Sequence, residues 1–414
     1  MTTSRFDIVV IGAGIHGTGI AQAATAAGYS VRVLEQYPQL ARGTSSRSSK
    51  LIHGGLRYLE TGQFHLVMEC LRERQILLHN APQLVRLRPF FIPVYDWSKH
   101  QPWILRTGLS LYALLGGLGP QMRFKTLDHR QWQHLEGLRT KNLRVVFQYY
   151  DAQTDDRALT HAVMHSATRM GAELILGATV TRIELGDTGG IVQFSQAGQI
   201  SECHAKVIVN AAGPWANDVL QRVSPRQSPY PYDLVQGTHI IVPGRLHTGI
   251  YYVEAPQDGR AVFIMPWGEN TLVGTTERIY TGAPDAIKPS NTEIEYLLEV
   301  VRHYFPQKTY ERNNIIHVFA GARVLPKGRN AASARLREIS LITDRELRPR
   351  LISIIGGKLT AYRATAQKVM NKIASSLPPR TPIANTKYIP LVPVEHCSKV
   401  QQPAIQREIP YANN

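Results

Sequence analysis

The strongest constraint on the fold is a glycine-rich turn that stands between a short apolar run and a helical pattern. The turn reads GAGIHG at residues 12–17, and the apolar run before it covers residues 6–11. This run predicts a buried strand, residues 15–27 predict a helix, and residues 31–35 predict a second strand. A strand, a GxGxxG turn, a helix and a parallel strand form the dinucleotide-binding unit of a doubly wound α/β fold.

The glycines and one acid of this unit have separate predicted roles. Gly12 allows the tight turn, Gly14 lets the backbone approach a diphosphate, and Gly17 lets the helix pack on the strand. The helix N-terminus offers unpaired N–H groups to the anion. Glu35 ends the second strand, where a carboxylate binds free ribose hydroxyls, as in FAD or NAD rather than NADP. The predicted dinucleotide contacts are Gly12, Gly14, Ile15, His16, Gly17 and Glu35.

A segment rich in hydroxyl groups follows, and it reads RGTSSRSSKLIHGGLRYLE from residue 42. Taken alone, it has two interpretations, a polar loop that caps the next helix or a part of the nucleotide site. His53, Arg57 and Tyr58 follow the hydroxyl groups closely, and their presence favours a site. The further cofactor contacts predicted in this segment are Thr44, Ser45, Ser46, Ser49 and Lys50.

The remaining pattern predicts two interleaved domains. A helix at 158–170 and strands at 174–185, 191–194, 207–210 and 351–355 extend the dinucleotide fold, whereas aromatic-rich strands at 249–254, 261–265 and 271–275 indicate an inserted antiparallel sheet with helices. We expect a discontinuous cofactor domain at 1–60, 150–215 and 336–377, and a substrate domain at 61–149 and 216–335. Residues 378–414 hold seven of the 25 prolines, which predicts an extended tail.

Composition narrows the classes of partner. The formal net charge is +16, and residues 42–144 carry 16 basic and six acidic side chains. This excess suits a solvated basic face as well as a surface that meets phosphate or a membrane. Signatures of nucleic-acid-binding modules are absent from the sequence, so we expect no nucleic-acid partner. Cys70, Cys203 and Cys397 are far apart and form no CxxC, so we expect a cytoplasmic protein without a disulfide framework or a metal site.

Residues 103–119 are the best membrane candidate. Between Arg106 and Arg123 there are 16 uncharged residues, fewer than the roughly 20 that a spanning helix needs. Two interpretations stay open: a buried helix of the substrate domain, or a helix that lies on the inner face of the cytoplasmic membrane with Lys99, Arg106, Arg123 and Lys125 around it.

Several motifs resemble those of the flavin-dependent glycerol-3-phosphate dehydrogenases. The specific ones are SSKLIHGGLRYLE and GGKLTAYR, while GAGIHGTGIA, NAAGPW, GTHIIVP, GTTERIY and GARVLP are shared more widely among flavoprotein oxidoreductases. The resemblance extends from about residue 5 to residue 376. It implies FAD, a glutathione-reductase-like doubly wound domain and an inserted antiparallel substrate domain. It also implies oxidation of sn-glycerol 3-phosphate to dihydroxyacetone phosphate, by hydride transfer from C2 to flavin N5.

The same resemblance implies catalytic roles for five side chains. Arg323 is expected to hold the phosphate or the C2 oxygen, with Arg57 and Lys358 in support, because a phosphate dianion needs fixed cations. His53 is the expected base, since imidazole titrates near working pH. Tyr58 is expected to orient the substrate. From the residues alone, the histidine and the arginines would more often be structural.

The resemblance also implies flavin contacts beyond the glycine turn. Gly357, just before a helix predicted to begin near Thr360, is expected to place backbone donors at a flavin carbonyl. Val180 resembles a position whose backbone meets adenine, and Gly213 follows a strand that passes close to the dinucleotide. The implied contacts are Val180, Ala211, Gly213, Gly357, Lys358, Leu359 and Thr360.

Three residues depart from the family pattern. His16 stands where Asn is usual, and we expect its side chain to point away from the phosphate. Ala361 replaces a usual Thr and Glu277 a usual Asp, so the substrate stays open. Bacterial members usually carry a further C-terminal helical domain where this chain has its proline-rich tail. That difference leaves the electron acceptor, quinone or oxygen, and the oligomeric state open.

Two alternative functions remain at this level. One is an amino-acid or hydroxy-acid oxidase built on the same flavoprotein architecture. The other, from a different class, is a basic binding protein without catalytic activity. Flavin colour separates the second alternative from the enzymes, and the substrate that bleaches the flavin separates the first.

Overall fold

Two large β-sheets organise the chain, and its computed structural model describes residues 4–328 and 339–394. In chain order the strands are β1 (Ser4–Ile11), β2 (Val31–Glu35), β3 (Leu51–Ile52), β4 (Val85–Tyr95), β5 (Lys125–Thr126), β6 (Leu143–Thr154), β7 (Glu173–Leu176), β8 (Ala178–Gly186), β9 (Gly189–Gln196), β10 (Gln199–Asn210), β11 (Val223–Ser224), β12 (Tyr232–Pro243), β13 (Ile250–Glu254), β14 (Ala261–Trp267), β15 (Asn270–Gly274), β16 (Arg278–Tyr280), β17 (His317–Pro326), β18 (Ser340–Thr343) and β19 (Leu351–Ile355). The α-helices are α1 (Ile15–Ala26), α2 (Phe64–Asn80), α3 (Pro102–Leu115), α4 (His129–Trp132), α5 (Asp156–Arg169), α6 (Ala216–Leu220), α7 (Asn291–Tyr304) and α8 (Tyr362–Ile373).

The first sheet has the predicted doubly wound character. Strands β7, β2, β1, β10 and β19 are successive parallel neighbours, and β8, β9 and the first half of β10 form an antiparallel meander beside them. The prediction of one strand at 174–185 is wrong, because Gly177 (φ +69°) ends β7 and starts β8. The break lets β7 pair with β2 while β8 pairs with β9.

Helix α1 forms the centre of the cofactor-binding half. All of its residues except His16 are buried, and it lies against α5 and α8. Its small residues allow these close contacts, since a Cβ at Gly17 would lie 1.9 Å from the carbonyl oxygen of Gly12, and one at Gly19 would lie 2.6 Å from the ring of Tyr362. Helix α1 is therefore buried on nearly all sides, and its polar side chains Thr18, Gln22 and Thr25 form hydrogen bonds inside the protein.

The second sheet follows the order β16-β12-β15-β14-β13-β4-β6-β3, with β17 paired to β12 and β5 to β6. Its pairs are antiparallel except β4 with β13, which are parallel. The antiparallel character predicted for 249–275 is thus confirmed for β13, β14 and β15. Strand β3 and the whole of β6 lie in this sheet, and the domain boundaries given above stay a prediction.

The last described residues, 378–394, run along the surface of α1 and α2. Residues 378–394 form neither helix nor strand. The N–H groups of Ile383 and Ala384 donate to the carbonyl of Ala26 at 2.8 and 3.1 Å, and that of Leu391 donates to Asn80 at 2.7 Å. Residues 395–414 of the predicted tail, including Cys397, lie outside the described residues.

Helix α3 occupies the segment that was the membrane candidate. One face of it is buried through Leu109, Tyr112 and Ala113, while Trp103 and Leu114 are 69% and 59% exposed on the other. Across residues 4–328 and 339–394, no helix combines the length and apolarity that a bilayer-crossing segment requires.

Two helical glycines give a matched test of this packing. Gly17→Ala should lower the free energy of unfolding by about 1–3 kcal/mol, because the new methyl group overlaps the carbonyl of Gly12. Gly108→Ala on α3 meets no atom within 4 Å and should raise it by up to about 1 kcal/mol, the helix-propensity difference. Urea unfolding of the two variants checks this, and equal midpoints would contradict the close approach of α1 and β1.

Candidate active site

One cavity of about 400 Å³ is bounded by both sheets and brings most predicted site residues together. Its lining includes Gly12, Gly14, Ile15, His16, Glu35, Thr44, Ser45, Ser49, His53, Arg57, Tyr58, Val180, Ala211, Gly213, Arg323, Gly357, Lys358, Leu359 and Thr360. The predicted contacts that do not line it are Gly17, Ser46 and Lys50. Because these residues come from distant segments, their convergence is a property of the fold and not of sequence proximity.

The glycine turn forms one end of the cavity with bare backbone. Gly12 has φ +97°, and a Cβ there would lie 2.8 Å from the carbonyl oxygen of Ala211. The N–H of Ile15, in the first turn of α1, donates to Ser45 Oγ at 2.9 Å, and a Cβ at Gly14 would lie 3.0 Å from that hydroxyl. The side-chain-free turn and the helix N-terminus fit a diphosphate.

Glu35 lies beside this turn and holds its backbone. Its Oε2 accepts the N–H of Ala13 at 2.6 Å and its Oε1 accepts that of Tyr37 at 3.0 Å. Burial raises the pKa of Glu35, although these backbone donors oppose the shift. Each carboxylate oxygen has a further lone pair, so the residue can still accept a ribose hydroxyl. That role stays a prediction.

His16 lines the cavity next to the second glycine pair. A Cβ at Gly357 would lie 2.4 Å from His16 Nε2, so a side chain at that position would displace the imidazole. Burial lowers the pKa of His16 to about 4, so the ring is neutral at pH 7. Its Nδ1 is buried and finds no hydrogen-bond partner among the described residues. A group bound in this cavity would meet a neutral ring in need of a hydrogen bond.

The hydroxyl-rich segment is held on both sides of the cavity. Thr44 Oγ1 donates to the carbonyl of Ala322 on β17 at 2.7 Å. Ser49 Oγ lies 3.0 Å from His239 Nε2 on β12. The segment therefore lines the cavity. Ser45 accepts an N–H of α1, a helix that precedes the segment, so this contact is not the expected cap of the next helix, and the capping interpretation stays a prediction.

Lys50 has a structural contact that the sequence did not reveal. Its Nζ donates to Asp156 Oδ1 at 2.5 Å and to the carbonyl of Ser46 at 2.6 Å. Both members of the ion pair are buried. Asp156 Oδ2 also accepts the N–H and hydroxyl of Ser48. Lys50 and Ser46 therefore fix the loop's shape from behind the cavity wall.

The five residues expected to act on substrate line the other end of the cavity. The N–H of His53 donates to Thr360 Oγ1 at 3.1 Å, which ties this histidine's backbone to the segment before α8. Lys358 Nζ lies 3.4 Å from the centre of the Tyr58 ring, a cation–π distance. Arg57 lines the same end.

Arg323 is fixed on β17 by two partners. Its Nη1 lies 3.3 Å from Glu277 Oε1, and its Nη2 donates to the carbonyl of Thr276 at 3.1 Å. The side chain of Glu277 is 4% exposed. Glu277 stands where the family usually has Asp, and it contacts Arg323, the residue predicted to bind the phosphate. The longer acid sets where this guanidinium points.

A buried polar network supports the His53 loop, and no sequence pattern indicates it. Tyr112 Oη accepts the N–H of Gly54 at 2.8 Å and donates to Asp151 Oδ2 at 2.6 Å. The other oxygen of Asp151 pairs with Arg74, which is fully buried. These residues belong to α2, α3 and β6, so only the tertiary fold brings them to the loop.

His239 also lines the cavity, and sequence reasoning missed it. Its ring stacks on Phe319 at 4.8 Å, and its Nδ1 is buried without a hydrogen-bond partner among the described residues. Burial, with the charges of Lys50 and Arg323, lowers the pKa of His239 to about 3. The sequence does contain one signal for this residue, the GTHIIVP motif at 237–243. The hydrophobic periodicity of that motif, however, assigns no role to the histidine.

The cavity carries the positive charge that a phosphorylated ligand needs. Of the described residues that line it, seven are basic and four acidic, and the basic ones are Arg42, Arg47, Arg57, Arg222, Arg260, Arg323 and Lys358. Within the described part of the chain, no cluster of His, Cys, Asp or Glu has the geometry of a metal site. Cys70 and Cys203 are free and buried.

Comparison with known proteins identifies the family of this chain. The model of the FAD dependent oxidoreductase family matches residues 7–363. The chain is 34% identical to a glycerol-3-phosphate dehydrogenase of Synechocystis, over 94% of this chain and 73% of that protein. It is 35% identical to D-erythritol 1-phosphate dehydrogenase of Brucella abortus, over 90% of this chain and 74% of that protein.

A solved structure gives the same result at the level of the fold. The glycerol-3-phosphate dehydrogenase of Bacillus halodurans, complexed with FAD, superposes with a TM-score of 0.72 and 26% identity over 94% of this chain and 68% of that one. The chain therefore belongs to the FAD-dependent oxidoreductases, as an enzyme of the glycerol-3-phosphate dehydrogenase type. Its cofactor is FAD, which the glycine turn and the neutral His16 suit.

The low pKa of His239 makes stability depend on pH. Its folded-state pKa of about 3 lies below the ordinary value of 6.5, so the unfolded chain binds more protons between these values and stability falls as the pH drops below 6.5. Lowering the pH from 7 to 5 should cost about 2 kcal/mol through this residue. In His239→Gln that part of the pH dependence should vanish, whereas exposed His65→Gln should keep it. Urea unfolding at both pH values checks this, and equal slopes in the two variants would contradict it.

Proposed function

We propose that this enzyme oxidises sn-glycerol 3-phosphate, or a closely related phosphorylated polyol, to the corresponding ketone. The observation that carries the proposal is the convergence of Arg323, Lys358 and Arg57 with His53 on one cavity. A phosphate dianion is bound by such fixed cations. Oxidation of the alcohol beside it also needs a base that takes the hydroxyl proton. Both relatives named above bear the name of a phosphorylated polyol as substrate.

The role proposed for each side chain follows from the contacts that hold it. FAD, when bound, supplies the acceptor for the hydride from C2. His53 takes the hydroxyl proton, and the hydrogen bond from its backbone to Thr360 sets its position. Arg323 binds the phosphate or the C2 oxygen, in the orientation that Thr276 and Glu277 impose.

Lys358 and Tyr58 act as one unit in this proposal. The cation lies over the phenol ring, so the ring orients the ammonium group without neutralising it, as a carboxylate would. Lys358 can then offer its full charge to a substrate oxygen. Tyr58 is buried and serves to orient the substrate indirectly, through the position of this cation.

An amino-acid or hydroxy-acid oxidase remains the second candidate within the same architecture. Its substrate would present a carboxylate to Arg323 instead of a phosphate. The decisive experiment is anaerobic reduction of the bound flavin, followed by absorbance, with sn-glycerol 3-phosphate, D-erythritol 1-phosphate, glycerol, lactate and glycine in turn. Bleaching by either phosphorylated polyol supports the proposal, and bleaching by glycine or lactate alone refutes it.

The arginine on β17 provides a sharper test. Arg323→Gln should lower kcat/KM for sn-glycerol 3-phosphate by about 100-fold or more, because a charge-assisted contact to a dianion is lost. The rate with glycerol, which has no phosphate, should change much less. Arg106→Gln on the exposed face of α3 is the matched control and should leave both values unchanged. Equal losses for the two substrates would assign Arg323 to the C2 oxygen or to the fold.

We also propose that α3 contacts a membrane surface, on the cytoplasmic face, where a quinone acceptor would be reached. The support is its exposed Trp103 and Leu114 with exposed Lys99, Arg106 and Arg123 around them. Apolar side chains can enter the interface while the cations meet anionic headgroups. Oxygen is the alternative acceptor, and oxidase activity without vesicles would favour it.

Vesicle binding tests this contact directly. Trp103→Ala with Leu114→Ala should weaken flotation with phosphatidylglycerol vesicles at least about tenfold, since each side chain contributes apolar area to the interface. Ile200→Ala with Leu347→Ala removes two equally exposed apolar side chains elsewhere and should have no effect. If both double variants bind as the parent does, α3 is not the contact.

A further inference from the structure

A second cavity, of about 270 Å³, is lined by residues of β4, of the end of β6 and of β14, and among the described residues it shares no lining residue with the first. Arg86 and Arg88 of β4 face it, together with Arg245, which follows β12. The other lining residues are Leu84, Gln153, Thr154, Asp155, Pro266, Trp267 and Gly268. This cavity, which we name the arginine cleft, takes no part in the function proposed above.

The three cations of the arginine cleft are gathered closely enough to affect one another. Burial lowers the pKa of Arg88, and the charges of Arg86 and Arg245 lower it further. The Nε atoms of Arg88 and Arg245 are buried and have no hydrogen-bond partner among the described residues. Guanidinium N–H groups that are withdrawn from water without an acceptor cost free energy, which an anion in the cleft would recover.

The two nearby carboxylates, Asp155 and Glu269, balance little of this positive charge. Asp155 lines the cleft, but its Oδ1 accepts the N–H groups of Arg157 and Ala158 as the cap of α5. Glu269 pairs with Arg245 at 3.1 Å, yet it is 85% exposed, where an ion pair contributes little. Neither Arg86 nor Arg88 forms an ion pair with another residue in the part of the chain that the structure describes.

The walls of the arginine cleft indicate what kind of anion fits. Guanidinium groups bind phosphate through paired N–H donors. Gln153 donates through Nε2 to the carbonyl of Pro266 at 2.8 Å, which fixes one wall. Trp267 adds an aromatic surface for a carbon skeleton. A cavity near 270 Å³ admits a small ligand and excludes a dinucleotide.

We infer that the arginine cleft binds a small organic phosphate, with its phosphate group between Arg86, Arg88 and Arg245 and its carbon part against Trp267. The same chemistry is offered by a free metabolite and by the headgroup of an anionic lipid. In either case the ligand binds outside the main cavity, so its binding does not depend on reduction of the flavin.

The test uses FAD-loaded full-length protein and phenyl phosphate as the probe, followed by isothermal titration calorimetry. The Arg323→Gln background is titrated in parallel, so that binding in the main cavity is recognised and subtracted. Arg86→Gln with Arg88→Gln should weaken the remaining binding at least about tenfold, because two charge-assisted contacts are lost. Arg130→Gln with Arg169→Gln makes the same change of charge on exposed sites and should leave it unchanged.

The source of the phosphate is decided by a second arm. Phosphatidylglycerol vesicles are compared with phosphatidylcholine vesicles, with and without phenyl phosphate as competitor. All proteins in this arm also carry Trp103→Ala and Leu114→Ala, which remove the vesicle contact proposed for α3. Loss of the remaining vesicle binding in the Arg86→Gln, Arg88→Gln protein, with competition by phenyl phosphate, identifies a headgroup. Binding of phenyl phosphate without this vesicle binding identifies a free metabolite. The inference is overturned if phenyl phosphate binds equally to the parent and to this double variant, or if it binds to neither outside the main cavity.

Discussion

The site depends on how one loop, residues 43–55, is fastened across the molecule. Thr44 bonds to β17, Ser49 to His239 on β12, and Lys50 to Asp156 at the start of α5. The loop then continues into the His53 turn, whose backbone is held by Thr360 and Tyr112. The strand anchors β17 and β12 belong to the second sheet, whereas Asp156 begins α5 and Thr360 precedes α8, and both of these helices pack against α1. The loop therefore joins the second sheet to the helices around the glycine turn, and a cofactor bound there meets groups that are already positioned.

Electrostatics distinguishes the two ends of the main cavity. At the glycine turn, the groups that can bind a diphosphate are backbone N–H donors, and His16 beside them is neutral. Among the residues expected to act on substrate, Arg323 and Lys358 carry full charges, while His239 stays neutral because burial and the charges of Lys50 and Arg323 disfavour its protonation. A phosphorylated substrate is thus drawn to the end where the chemistry occurs.

The sequence predicted those parts of the structure that follow from local pattern. Strand β2 and helix α1 lie at or within one residue of the predicted bounds, since the glycine turn and the apolar runs encode them directly. The Tyr112–Asp151–Arg74 network and His239 could not be predicted, because their roles arise from contacts 39 to 190 residues apart. The catalytic residues came from the resemblance and not from physical pattern, and their roles stay predictions.

The cations that lie in the interior or line cavities of this protein divide into two kinds. Those with a structural task have a carboxylate at hand: Arg74 has Asp151, Lys50 has Asp156, and Arg363 has Glu73. Such pairing removes the cost of an isolated buried charge. The arginine cleft differs, because Arg245 pairs only with the exposed Glu269, and neither Arg86 nor Arg88 forms an ion pair among the described residues. The charges of Arg86 and Arg245 act on the partly buried Arg88, so an anion bound between the three guanidinium groups would supply the balancing charge that the described carboxylates do not.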